Sequence, residues 1–327
     1  LHLSFKMIDA EGLLSAGHEV AWEHFVLQER ALTGLADLTS TVEPKSEEDV
    51  IELKGEGLRA EISRSTGQLI ALHGREGNLL AEPLQFTWWR AGTDNDGVKL
   101  WDGQEHKPLM KWKAAGLHES VQTLSSQEVL DDGTVESVFK LSTPVHAEAG
   151  ILTQRIRMTD GGLAVENVLS CLAELPDLPR IGNQFALIDG FEDVHYHGFG
   201  PYENYRDRDA GVWQDLFETT VDDMYVPYIM PQECGSRSAT HWCAFRNEKK
   251  GTTVRVEALD QCFEFKASHY TDSDWFAATH THELSPRPET HVSIDHMQRG
   301  LGTHSCGPDT LEKSRIQPGK HQWAFVI

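Results

Sequence analysis

The chain has 327 residues, with 51 acidic against 29 basic side chains and a formal charge of −22. Phosphate backbones and anionic lipid would repel such a surface, so neither nucleic acid nor membrane is an expected partner. Apolar residues make up 39% and charged residues 24%, with 9 Trp and 13 Phe, which excludes intrinsic disorder, a collagen-like rod and a coiled coil. No stretch of about 18 apolar residues is present to cross a bilayer. The cysteines, Cys171, Cys234, Cys243, Cys262 and Cys306, are odd in number and widely scattered. That fits a reduced compartment, by default the cytoplasm, better than a disulfide framework.

Residues 1–7 alternate apolar and polar and lack the charged-then-apolar layout of a secretory signal. The chain opens on Leu1 rather than Met, which is expected of a piece of something longer. A second strand is predicted over 20–27. Two or three strands cannot bury a core of their own, so this segment reads as the tail of a domain whose start lies elsewhere. Ser, Thr, Pro and charge replace the pattern over 39–49, and a domain boundary is placed between residues 45 and 46.

Beyond it, alternation recurs at 51–54, 138–141, 253–257 and 291–295, punctuated by the hairpin signals Asp132-Gly133 and Asp160-Gly161-Gly162. Short connections of this kind make the sheets antiparallel and the protein all-β. Residues 46–327 show no further linker, so one large sandwich or barrel is expected, because an open sheet of that size would curl or split. The best helical segment is 273–284, with Ser273 as its N-cap.

Several residue groups could carry chemistry. His195 and His197 share a strand face, but Asp193 lies roughly 13 Å from His197 at about 3.3 Å per residue, too far to complete a metal site on one straight strand. His280 and His282 would splay apart on a helix. No thiol sits in a CxxC motif or beside a base, and the glycine-rich nucleotide motifs and GxSxG are absent. Two polar and aromatic clusters remain. The first runs from Phe86 and Trp88-Trp89-Arg90 to Asp94-Asn95-Asp96-Gly97, and the second is Gly198-Phe199-Gly200-Pro201-Tyr202-Glu203-Asn204-Tyr205-Arg206-Asp207-Arg208, followed by residues 223–228. Rings beside Asp, Asn and Arg suit a sugar site, although composition alone favours turns capped by Asp and Asn as the account of the first cluster. Glu203 could serve as a catalytic acid. A loop-fixing salt bridge to Arg206 or Arg208 explains the same residue without chemistry.

At these clusters the chain resembles the C-terminal part of the large glycoside hydrolase family 2 β-galactosidases, the β-galactosidase small-chain domain. The matching stretches are Arg90-Ala91-Gly92-Thr93-Asp94-Asn95-Asp96, Lys111-Trp112-Lys113-Ala114-Ala115-Gly116, Pro179-Arg180-Ile181-Gly182, residues 198–208, residues 223–228 with Pro231, and Asp295-His296-Met297. The resemblance implies a large antiparallel supersandwich, galactose mutarotase-like, over 46–327. It also implies that residues 1–45 are the last strands of an incomplete immunoglobulin-like domain.

The resemblance implies, further, a retaining hydrolase of β-galactosides such as lactose. Its two catalytic glutamates lie in a TIM barrel outside this chain, so no catalytic residue is assigned here and the isolated chain is expected to be inactive. No cofactor or metal is assigned to this chain, while Mg and Na ions are expected in the complete enzyme. The expected partners are the barrel and other domains of the parent enzyme, the β-galactoside, and further copies in a homo-oligomer. This chain is expected to supply lid loops to the sugar pocket, around Asp94, Asn95, Asp96, Gly97, Val98 and Lys99 and around His304, Ser305 and Cys306. Cys306 falls where well-known members present a Trp. Trp88, Trp89, Trp101 and the Cys306 loop are candidates for an exposed face that docks on the barrel. The competing readings are a sugar mutarotase or epimerase, with His197 and Glu203 as its acid–base pair, and a carbohydrate-binding module of the same fold.

Overall fold

The alternating runs form strands, and the strands hold apolar side chains on one face and polar ones on the other. In a computed structural model that describes residues 1–28, 31–40 and 43–327, the chain divides into two compact units, Leu1–Leu32 and Thr33–Ile327. In the first unit, β1 (His2–Lys6) and β2 (Glu19–His24) pair antiparallel. The His2 imidazole stacks on the Trp22 indole at 5.8 Å. Leu3, Phe5, Val20 and Leu27 are exposed, as expected for a hairpin too small to enclose a core.

The second unit opens with β3 (Lys45–Ser46), β4 (Val50–Lys54), β5 (Arg59–Ser63), β6 (Leu69–Gly74), β7 (Gly77–Asn78) and β8 (Leu80–Thr87). Helix α1 (Pro108–Ala114) leads to β9 (Val121–Val129), β10 (Val135–Ser142), β11 (Gly150–Thr159), β12 (Gly162–Cys171), β13 (Arg180–Leu187), β14 (Asp193–Gly200) and β15 (Trp213–Thr220). A short α2 (Val221–Met224) precedes β16 (Arg237–Thr240), β17 (Trp242–Asn247), β18 (Thr252–Leu259) and β19 (Phe263–Ser268). Last come α3 (Asp272–Ala277), β20 (Thr290–Gln298) and β21 (Lys320–Val326).

These strands build a nine-stranded sheet in the order β15-β14-β17-β18-β21-β12-β11-β10-β9. A ten-stranded sheet runs β16-β19-β20-β13-β8-β6-β5-β4-β3, with β7 on β6. Each strand pair within the two sheets is antiparallel. The sheets face each other across a core in which the rings of Phe245 and Tyr196 in one sheet meet Phe265 of the other. Trp323 Nε1 donates to Asn183 Oδ1 across the gap at 2.8 Å, so this polar pair inside the core is satisfied. The all-β sandwich is therefore present, with Asp132-Gly133 turning β9 into β10 and Asp160-Gly161 turning β11 into β12.

Two boundaries differ from expectation. The units part between Leu32 and Thr33 rather than at 45/46, because residues 33–40 are already bound to the sandwich. Thr33 bridges Leu259 and Ser40 bridges Thr159, while Leu35 and Leu38 cover Leu259, Ala324 and Val326. The helix expected over 273–284 ends at Ala277, and its N-cap is Thr271, whose hydroxyl accepts from Asp274 N while the Asp274 carboxylate reaches back to Thr271 N. This reciprocal capping box outcompetes a cap at Ser273. Ala278 leaves the helix in an extended conformation, and the reason lies in the loop described next.

Candidate functional site

The Arg90–Lys99 segment follows β8 and is built around a buried ion pair. Arg90 Nη2 donates to both carboxylate oxygens of Asp96, at 3.0 and 2.9 Å, and neither side chain is exposed. Asp96 Oδ2 also accepts from Thr93 N at 2.9 Å and Thr93 Oγ1 at 3.0 Å. A bidentate guanidinium plus two local donors satisfies the carboxylate and closes the turn. The turn then aims the side chains on either side of Asp96 outward.

Asp94 N donates to Gln232 Oε1 at 2.9 Å, and Gln232 Nε2 returns a bond to Asp94 Oδ2. Asn95 faces the chain's far end. Its Nδ2 donates to the Gly302 carbonyl at 2.8 Å, and its Oδ1 accepts from Ser305 N at 3.1 Å and Ser305 Oγ at 2.6 Å. Lys107 Nζ donates to the His304 carbonyl. The two segments expected to form lids, 200 residues apart, are thus joined side by side. Val98 N donates to Gln104 Oε1, and the Val98 carbonyl accepts from Gln104 Nε2.

Lys99 does something unforeseen. Its ammonium donates to four backbone carbonyls, those of Pro231 (2.9 Å), Trp275 (2.6 Å), Phe276 (3.1 Å) and Ala278 (2.5 Å). Burial draws its pKa down to about 8, against the opposing pull of Asp94 and Glu283. Three of those carbonyls belong to the end of α3, where the last turn of a helix leaves acceptors without partners. A cation from a distant loop caps them, and this is why the helix stops where it does.

The second cluster braces the late loop. Asp207 accepts from Leu301 N and Gly302 N, both at 2.8 Å, and from Thr310 Oγ1 at 2.5 Å. Gly302 has φ +62°, and a Cβ there would come within 2.5 Å of Thr310 N, so only glycine fits. Arg299 anchors the base of this loop through Asp177 (2.6 Å) and a bidentate pair with Asp309 (2.9 and 2.8 Å). Its carbonyl accepts from Arg90 at 2.7 Å. At the tip Cys306 is exposed, with its amide turned to the Thr303 carbonyl at 3.2 Å.

Beneath both loops lies a charged core that sequence reasoning missed. Arg180, fully buried, donates to Asp272 Oδ2 at 2.8 Å and lies 3.1 Å from Asp295 and 3.6 Å from Glu233. Lys266 bridges Glu233 (2.5 Å) and Asp272 (2.8 Å). Arg180 and Asp295 come from two of the stretches that carried the resemblance. Burial raises Asp295 to about 7 despite Arg180, with Glu233 adding to the rise.

The other sequence candidates resolve as follows. Glu203 is the loop-fixing residue of its cluster: Oε1 accepts from Arg208 at 2.8 Å and from the Tyr228 hydroxyl, and Oε2 accepts from Gly235 N at 2.9 Å. A carboxylate so fully engaged is not placed to act as the base of an acid–base pair with His197, whose ring stands 4.6 Å from that of His241. Arg206 pairs with Glu264 at 2.7 Å. His195 meets Glu218 at 3.4 Å, and His280 meets Glu283 at 3.2 Å. No group of three His, Cys, Asp or Glu placed to hold a metal occurs among the described residues, and none of their helices is long and apolar enough to cross a membrane. Of the tryptophans proposed for an exposed face, Trp101 is 68% exposed and Trp88 only 1%. Just past the end of β8, Trp88 turns into the core with its ring edge-on to Phe86.

Residues 54–327 match the family described as β-galactosidase small chain. Over 304 residues the chain is 28% identical to a β-galactosidase of Priestia megaterium, covering 92% of this chain and 28% of that protein. It is 30% identical over 310 residues to one of Vibrio cholerae, covering 92% and 29%. The chain therefore spans roughly a quarter to a third of the length of these relatives. Among solved structures it is similar to a galactose mutarotase-like protein of Lactobacillus casei, at 10% identity and a TM-score of 0.47, covering 85% of this chain and 98% of that one. The fold is a large antiparallel β-sandwich, and the family match is specific. The chain belongs to the β-galactosidase small-chain family.

Proposed function

We propose that this chain is the non-catalytic C-terminal portion of a β-galactosidase, and that its paired loops complete the pocket for the terminal galactose and contribute to assembly. The observation that carries this reading is the junction at Asn95 and Lys107, which sets residues 94–99 beside residues 302–306. Hydrolysis itself is a retaining reaction, performed by a nucleophile and an acid–base glutamate of a TIM barrel that the rest of the enzyme supplies. Mg and Na ions belong to that complete enzyme and are not required for any step assigned here. The surroundings of the loops support docking: Leu100, Trp101, Tyr202, Ile229 and Leu311 are all more than half exposed and lie in the segments that flank or brace the loops. Exposed large apolar side chains in these segments are read as part of an interaction surface. The hairpin of β1 and β2, with its exposed apolar side chains, is read as the end of an immunoglobulin-like domain.

The test is reconstitution. The purified chain alone is expected to leave nitrophenyl β-galactoside intact, and mixing with a barrel-containing fragment of the enzyme is expected to restore turnover. Asn95→Ala, which releases the late loop, is expected to raise KM in the reconstituted enzyme by roughly five- to tenfold, the loss of one or two hydrogen bonds. Turnover by the chain alone, abolished by a substitution within it, would overturn the reading.

A further inference from the structure

A second cavity, of about 350 Å³, lies where β19 begins and β20 ends, with the single 3-10 turn Glu312–Ser314 at its rim. Its size suits a small molecule, and its lining shares no residue with 94–99 or 302–306. One wall is a β-bulge. Arg237 of β16 stands opposite Phe265 of β19 and Thr240 opposite Phe263, so Ser238 and Ala239 together face the one residue Glu264. Ala239 takes a left-handed φ of +49°, which a residue with a Cβ adopts only where its surroundings impose it. Here Gln214 Nε2 donates to the Ala239 carbonyl at 3.2 Å, and the Ser238 amide donates to Asn204 Oδ1 at 2.8 Å. Ser238 and Ala239 both line the cavity.

The charges inside do not balance. Glu264 is the one carboxylate among the lining residues, and both its oxygens are engaged, Oε1 by Arg206 Nε at 2.7 Å and Oε2 by Gln298 N at 3.2 Å. Arg206 therefore answers Glu264. Lys313, the other cation of the lining, has no carboxylate within salt-bridge reach among the described residues. His296 adds no charge: burial, then His321 and Arg206, bring its pKa down to about 4, and Gln261 Nε2 donates to its Nδ1 at 3.0 Å. One positive charge is left over, in a chain whose formal charge is −22. The rest of the molecule repels anions, so one that binds here is held by contacts within the cavity and not by the long-range field. Ala239, Phe263 and Cys262, whose thiol burial keeps protonated, form the apolar remainder of the lining.

We propose that this cavity binds a small monocarboxylate with a short apolar body, its carboxylate met by Lys313 and Arg206 and its body by Ala239, Cys262 and Phe263. An ammonium and a guanidinium both give a carboxylate charge-assisted hydrogen bonds. A single negative charge matches the single uncompensated cation, whereas a dianion would set a second charge against Glu264. The inference does not depend on the β-galactosidase reading, whose test is restored turnover.

The experiment titrates the purified chain with sodium butyrate at constant ionic strength, followed by saturation-transfer NMR. Butyramide, the neutral analogue, is titrated in the same way, and inorganic phosphate is followed by its displacement of butyrate. Saturable millimolar binding of butyrate is expected, with butyramide and phosphate both weaker. Lys313→Met, at an exposed position, is expected to weaken butyrate about tenfold, the loss of one charge-assisted hydrogen bond. Lys313→Arg is expected to retain it, with melting curves to confirm that both variants fold. If Lys313→Met does not fold, the comparison of butyrate with butyramide carries the test. No saturable binding of butyrate, equal affinity in wild type and Lys313→Met, butyramide bound as tightly as butyrate, or phosphate bound more tightly than butyrate would each overturn the proposal.

Discussion

Asp295 offers a sharp test of the charged core. It sits on β20 with no exposed surface, opposite Gly182 of β13, where a Cβ would come within 2.2 Å of its Oδ1. Its Oδ2 accepts from Gln298 Nε2 at 3.1 Å, and Arg180 is its cation. Arg180 is shared, however, with Asp272 and Glu233. Burial therefore prevails and lifts the carboxyl from an ordinary 3.8 to about 7.

A carboxyl whose pKa is higher in the folded than in the unfolded chain holds its proton more tightly when folded. Its contribution to stability is fully present below pH 3.8 and is lost as pH rises to about 7. A difference of about three pH units corresponds to about 4 kcal/mol at most. Asp295→Asn keeps the shape and removes the ionisation. The stability of the variant relative to wild type should therefore rise steadily between pH 4.5 and 7 and level off above, by up to about 4 kcal/mol. Asp272 and Asp274, both held down near 2, lose their contribution only at more acid pH, and they are common to both proteins. Urea unfolding at half-unit intervals, with m-values compared to verify a common denatured state, measures the difference. A difference independent of pH across this window would refute the account of Asp295.

Lys99→Met leaves four carbonyls without their cation and is expected to destabilise the chain by about 3 kcal/mol. Amide exchange at the end of α3 should accelerate in that variant, and unchanged exchange would show that the cap is dispensable. Asp207→Ala frees the amides of Leu301 and Gly302. Their hydrogen exchange should quicken while global stability falls by only about 1–2 kcal/mol. Cys306→Trp, at an exposed tip, should alter stability by less than about 0.5 kcal/mol. In the complete enzyme it should tighten binding of lactose or nitrophenyl galactoside by about 1 kcal/mol of aromatic stacking. An unchanged KM for both substrates would remove Cys306 from the pocket.

What could be read ahead of the structure was whatever depends on near neighbours. The strand at Thr290–Gln298 and the turn at Asp132-Gly133 follow from spacing alone, because a strand with one buried face repeats every two residues. Glu203 could be assigned to a salt bridge because Arg208 lies five residues away. The end of α3 could not be read, since its carbonyls are capped by Lys99, more than 170 residues earlier in the chain. Nor could the fate of β19, where Glu264 and Lys266 are nearly without exposure. Alternation marks their positions as polar, and only partners from Glu233, Asp272 and Arg206 make them interior. The same logic explains the one carboxyl that departs most from its ordinary behaviour. Three carboxylates, Glu233, Asp272 and Asp295, meet two cations, Arg180 and Lys266. Lys266 reaches the first two and Arg180 is divided among all three, so the least compensated of them, Asp295, is the one that keeps its proton near neutral pH.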